Sequence, residues 1–188
     1  MADRAGGGGR GFNRPSPRGG GGRPGFRPAP RGGPGPRTTP IPRKGGGLNL
    51  RHLGGDAFEL IHPHCVEEMR PDYEEGLEIW KAGEAEEARD ALRYALQGCG
   101  DNLWVHAALG RIALETFQDP TLARGHFGYG FELAMKALPP DFAGTLPRNR
   151  PANRPFYDAL DGLIACHDAL GQAEDASRLK VLARSLGG

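Results

Sequence analysis

His62, His64 and Cys65 form a compact His-x-His-Cys run, with His52 upstream. These are zinc-type donors, but zinc sites usually draw on two separated ligand pairs, and Cys99, His106 and the Cys166–His167 pair do not fall at matching spacings. Neither a metal site nor a cofactor is expected, and the rings are read as caps on the helical part that follows. A hydrolase would need a nucleophile with a base and an orienting group. Ser16, Ser177 and Ser185 are the serines, and none stands in a Gly-x-Ser-x-Gly turn. The glycine-rich start has no strand before it and no helix directly after it, so it is not a phosphate loop. The expectation is a protein without enzymatic activity or a small-molecule substrate.

Arginine is the residue with most scope for recognition. Arg148, Arg150 and Arg154 lie in or beside a connection at residues 139–155 that contains five prolines. Connections between helices usually run to about 2–8 residues, so its 17 residues invite either a functional reading or a packed loop. Guanidinium groups suit the carboxylates of an acidic partner. The competing account is that Phe142 and Leu146 pack the segment onto the helices, and both stay open at this point.

Charge is divided unevenly. The whole chain has 24 Lys and Arg against 23 Asp and Glu, but residues 1–47 hold ten of the basic residues and one acidic residue, leaving the remainder acidic. Those 47 residues include 16 Gly, nine Pro and nine Arg. Such a composition cannot bury enough apolar surface to offset its ordering entropy, so a disordered basic tail is expected. Arg10, Arg18, Arg27 and Arg31, with Phe12 and Phe26, would give weak contact with single-stranded RNA through phosphate pairing and stacking. A plain solubilising leader is the alternative. Three widely spaced cysteines without a C-x-x-C make a disulfide framework unexpected and favour a reducing compartment. With no apolar run of about 18 residues and no secretory h-region, a cytoplasmic protein without membrane contact is expected.

Residues 48–68 read as a lead-in, with Gly54-Gly55 and His62-Pro63. Helical periodicity then predicts helices at 72–82, 85–97, 103–116, 120–138, about 155–170 and 173–186. Asp101 or Asn102 is the N-cap of the third, while Gly98-Cys99-Gly100 ends the second. Gly125, Gly128 and Gly130 weaken the fourth helix unless another helix lies close against them. Gly76 and Gly110 are 34 residues apart, and Ala88 and Ala123 are 35 apart. A period near 34 is the signature of stacked helix hairpins.

In detail, Gly76, Gly83, Ala88, Leu92 and Ala95 mark a first unit; Gly110, Ala123, Phe127 and Gly130 a second; and Gly171, Ala176 and Ala183 a third. In these residues the chain resembles the tetratricopeptide repeat family. The third unit departs from the pattern at Ile164 and Lys180, and no proline closes the first. The resemblance covers residues 69–188, interrupted by the insert at 139–155. The Gly-His-Phe-Gly-Tyr-Gly run at 125–130 and the insert also look like bacterial tetratricopeptide proteins.

The resemblance implies an all-α stack of about three antiparallel helix hairpins, whose first helices line a concave face. The groove positions then fall on Arg70, Tyr73, Leu77 and Trp80, on Trp104, Ala107 and Arg111, and on Asp158 and Asp161. Family members that grip a C-terminal carboxylate need Lys or Asn where Tyr73, Leu77, Trp104 and Ala108 stand, which disfavours that mode. The expected partner is a protein or peptide, held by Arg70, Tyr73, Trp104 and Arg111 with Arg148, Arg150 and Arg154. Burial in the core is the competing account for both tryptophans, and the stronger one for Trp80.

Overall fold

The computed structural model describes residues 47–187. It is mostly helical, with one small two-stranded sheet. The helical content agrees with the all-α expectation, to which the small sheet is an addition. The lead-in folds as an antiparallel hairpin of β1 (Asn49–Gly54) and β2 (Ala57–Ile61), with Leu50 opposite Leu60 and His52 opposite Phe58. The ladder shifts register between His52 and Gly54, and Gly54 and Gly55 turn the chain at φ 118° and 60°. Two glycines between runs compatible with strand are a hairpin signal, and the left-handed backbone here is why glycine is needed.

The hairpin is held by the insert. Phe58 N–H donates to Thr145 O at 2.8 Å, and Thr145 N–H donates to Asp56 O at 2.6 Å. Fully buried Asn153 accepts from Leu60 N–H at 2.9 Å and donates to Phe58 O and Pro147 O at 3.1 and 3.2 Å. Leu146 is fully buried, its N–H donates to Leu186 O, and its carbonyl accepts from Tyr157 Oη at 2.6 Å. Phe142 meets Phe58 edge-on at 5.1 Å. Residues 139–155 are therefore a packed connection, built around the two apolar residues that the packing account named.

After the short helix α1 (Cys65–Glu68) come α2 (Arg70–Lys81), α3 (Ala85–Gly98), α4 (Leu103–Arg111), α5 (Pro120–Ala137), α6 (Arg154–Ala169) and α7 (Ala173–Gly187). These six long helices begin and end within a few residues of the sequence expectation, except that α4 passes into a π-helical turn at Ile112–Thr116. Asn102 caps α4, its side chain accepting from Trp104 and Val105 N–H; Asp119 caps α5 in the same way. Gly83 and Gly171, at φ 93° and 72°, turn α2 into α3 and α6 into α7.

Successive helices pack as hairpins: α2 on α3, α4 on α5, and α6 on α7. In addition α5 packs on α6, and α4 on α6. Within the first two hairpins the approach is set by glycine. A Cβ on Gly76 would lie 2.7 Å from Leu92 Cγ, and one on Gly110 would lie 2.6 Å from Phe127 Cε1. The two contacts are equivalent, which is the physical content of the 34-residue spacing. In α5 the close approach occurs at Gly130, between His106 and Ala159, whereas Gly125 has no neighbour within 4 Å. Gly128 meets Leu163 of α6 at an ordinary 3.9 Å, so the close helix that would explain these glycines is present at Gly128 and Gly130 but not at Gly125.

Cys65 and Cys99 form a disulfide, with Cα atoms 5.4 Å apart, and Cys166 is free and buried. This corrects the expectation of unpaired cysteines. The cysteines are 34 residues apart, the same separation as Gly76 and Gly110, and precede α2 and α4. Neighbouring helices are about 8–10 Å apart, beyond the roughly 7 Å that a disulfide tolerates. Here α1 precedes α2 and carries Cys65 close enough to pair. Among the described residues no helix is long and apolar enough to cross a membrane.

Candidate binding groove

Three of the expected contact residues meet in one place. Arg70 and Tyr73 of α2 and Trp104 of α4, with Val66, Glu74 and Asn102, line a cavity of about 170 Å³. Trp104 lies at the first turn of α4, placed by the Asn102 cap, and the imidazole of His62 is 6.2 Å from its ring. The lining is therefore aromatic and aliphatic at Tyr73, Trp104 and Val66, and polar at Arg70, Glu74 and Asn102. Among the described residues neither Tyr73 Oη nor Trp104 Nε1 has a hydrogen-bond partner, so two donors remain available.

From this cavity a polar strip continues across α4 and α6. Burial pushes the Tyr73 hydroxyl pKa above its ordinary value, Asp158 adds to the shift, and Arg111 and Arg154 oppose it. Asp158 is itself raised by burial, against the pull of Arg154 and Arg111. Tyr73, Arg111, Asp158 and Arg154 thus feel one another across three helices. Arg148 extends the strip from the insert, stacking over the Tyr157 ring at 4.1 Å and donating to both Asp161 oxygens at 2.8 and 3.0 Å. Burial pushes the Tyr157 hydroxyl up to about 12.

Most of the arginines expected to meet a partner already hold a carboxylate of their own. Arg70 bonds Glu67 at 2.5 and 3.0 Å, Arg111 bonds Glu115 at 3.2 Å, and Arg154 lies 3.8 Å from Asp158. Arg150 differs: its backbone closes the turn between Pro147 and Asn153, and it has no ion pair among the described residues. All three of these pairs are three or four residues apart, the spacing at which residues on a helix are neighbours. Such exposed pairs are individually weak, worth about 0–1 kcal/mol, and a partner can exchange them.

Trp80 is placed differently from Trp104. It packs with the cluster formed by α2, α3 and α4, its Nε1 donates to Thr116 Oγ1 at 3.1 Å, and the Arg111 guanidinium sits 5.1 Å from its ring. It is a packing residue that also steers Arg111. The histidine and cysteine run is dispersed: His62 Nε2 bonds Ala152 O at 2.7 Å, His64 pairs with Glu68, and Cys65 is in the disulfide. Among the described residues His62 Nδ1 is buried without a hydrogen-bond partner, and burial lowers the pKa of the ring.

Val66, Glu74 and the cavity-facing role of Asn102 were missed from sequence. The signal that could have found Val66 and Asn102 is the 34-residue separation of Cys65 and Cys99, which lie one and three residues before them. Arg10, Phe12, Arg18, Phe26, Arg27 and Arg31, and the expected disorder of the basic tail, lie outside the described residues. No family model, curated protein or solved structure matches the chain.

Proposed function

We propose that this chain is a tetratricopeptide-like, non-enzymatic binding protein that holds a polypeptide along the face formed by α2, α4 and α6. The cavity between α2 and α4 carries the proposal. Pockets for cofactors and drug-sized ligands span about 300–1,000 Å³. A cavity of about 150 Å³ accepts one benzene-sized group. At about 170 Å³ this one is matched to a single aromatic or branched aliphatic side chain. The free donors on Tyr73 and Trp104 suit the carbonyls of an extended backbone beside that side chain, and Arg70 and Arg111 suit flanking carboxylates. The equivalent Gly76–Leu92 and Gly110–Phe127 contacts support the repeat reading.

Rigid aromatic residues beside a desolvated pocket are where binding energy concentrates. Panning a random peptide library on the full chain tests the proposal. The expected result is enrichment of peptides with one large apolar residue next to acidic ones, and a loss of affinity of about tenfold or more in Trp104→Ala. Equal affinity for Trp104→Ala, with the fold intact by circular dichroism, overturns it.

A further inference from the structure

The cavity is built on the two segments that the disulfide joins. Cys65 immediately precedes Val66, and Cys99 lies three residues before Asn102; both Val66 and Asn102 line the cavity. The two walls are anchored very differently. Asn102 is 1% exposed and fixed by its cap bonds to α4. The wall carrying Val66 is α1, four residues long and without a buried residue. Apart from the disulfide, α1 is held among the described residues only at its flanks: ahead of it His62 bonds Ala152 O at 2.7 Å beside buried Pro63, and after it Met69 packs so closely on Gly98 that a Cβ there would lie 2.9 Å from Met69 Cγ. Segments with few buried contacts open at low free energy.

We infer that the Cys65–Cys99 disulfide is a thiol-responsive clasp on this cavity. Intact, it holds α1 in place as a wall around a bound side chain; reduced, it releases Val66 and weakens the hold. The inference rests on the polypeptide-binding reading given above. The reductant is a dithiol. One thiolate attacks Sγ of Cys65, the more exposed partner, since Cys99 is 2% exposed. The Cys65–Cys99 bond breaks, Cys99 leaves as a thiolate and takes up a proton, and a mixed disulfide remains on Cys65. The second thiol of the reductant then displaces Cys65, which leaves as a thiol. In sum, two electrons and two protons pass to the protein, and the reductant becomes a cyclic disulfide. The chain's other cysteine, Cys166, is buried away from the clasp, and burial raises its thiol pKa, so it does not compete as a nucleophile.

The test uses the full chain with Trp80→Phe, which leaves Trp104 as the sole tryptophan. Dithiothreitol is the reductant, thiol titration reports the state of the bond, and acrylamide quenching of Trp104 reports the wall. Acetyl-Ala-Ala-Phe-Ala-Ala-amide is the binding probe. The expected result is that reduction exposes two new thiols, raises the quenching constant about twofold and weakens probe binding about fivefold. Cys65→Ser with Cys99→Ser should match the reduced protein whether or not dithiothreitol is present. Unchanged quenching and binding after both thiols have appeared overturn the clasp. Equal probe binding in the two states rejects the clasp and keeps the binding reading. A quenching change in a protein that binds no probe even when oxidised rejects the binding reading instead.

Discussion

Gly162 on α6 stands so close to the ring of Phe127 on α5 that a Cβ at that position would lie 2.5 Å from Phe127 Cε1, and Gly110 of α4 crowds the same ring. One phenylalanine thus sets the spacing of three helices. Gly110→Leu and Gly162→Leu should each lower stability by about 1–3 kcal/mol or more, because a close-packed interior has no room to move the ring. Denaturant midpoints check this, and an unchanged midpoint in either variant refutes the shared contact.

Gly125 is the control on the same helix. It is exposed with nothing within 4 Å, so a methyl group meets no neighbour. Gly125→Ala should stabilise the protein by about 0.4–1 kcal/mol through the lower entropy of the unfolded chain. A destabilised Gly125→Ala would show that α5 is crowded there after all.

Asn153→Leu should be among the most damaging single changes. It leaves Leu60 N–H, Phe58 O and Pro147 O without their side-chain partner in a buried site. Each unsatisfied buried group costs about 1–3 kcal/mol. Amide exchange at Leu60 should accelerate along with the loss of stability. Unaltered protection of that amide would mean the hairpin holds without Asn153.

Burial lowers the pKa values of His62, His106 and His126, that of His126 to about 4 with help from His106 and Arg93. The folded protein therefore binds fewer protons than the unfolded chain below the ordinary histidine value of 6.5. Stability should fall as the pH is lowered from 7.5 to 5.5, because the unfolded state gains protons that the folded state refuses. His126→Gln should flatten that dependence. Denaturant midpoints at the two pH values read the slope, and equal slopes for the two proteins would remove His126 as a contributor.

Asp161 holds Arg148 at the far end of the groove, in a half-exposed pair. Asp161→Asn should change stability by less than about 1 kcal/mol. It frees a guanidinium, so acid-rich peptides selected on the wild type should bind about threefold tighter at low salt, with the gain shrinking at high salt. Calorimetric titration at two ionic strengths separates the two effects, and no gain at low salt would place the peptide away from α6.

The helices were legible because their punctuation is local: Gly83 and Gly171 in left-handed turns, Asn102 as a cap, Pro120 in the first turn of α5. The contact of Gly76 with Leu92 was legible through spacing alone. What escaped depends on partners distant in sequence. The hairpin strands are satisfied by Thr145 and Asn153, about 90 residues away, and nothing near Phe58 or Leu60 announces them. The types and spacing of Tyr73 and Trp104 singled out two residues that line one cavity. That most of the arginines are already paired follows from helix geometry and from the path of the insert, and the second of these is a long-range fact.

The π-helical turn at Ile112–Thr116 has a bearing on how such a chain changes length. Gly76 precedes Ala88 by 12 residues, but Gly110 precedes Ala123 by 13. The surplus residue falls where the backbone widens from a four-residue to a five-residue hydrogen bond, as in Phe117 N–H to Ile112 O at 3.1 Å, followed by a left-handed Gln118 at φ 52°. The phase of Ala123 and Phe127 against α4 is thereby kept. The same insertion in the middle of α3 would rotate every later side chain by about 100° and turn Leu92 and Ala95 away from the core. A single-residue insertion beside the exposed Gln118, past the buried Ile112 and Ala113, is thus the length change this molecule can absorb.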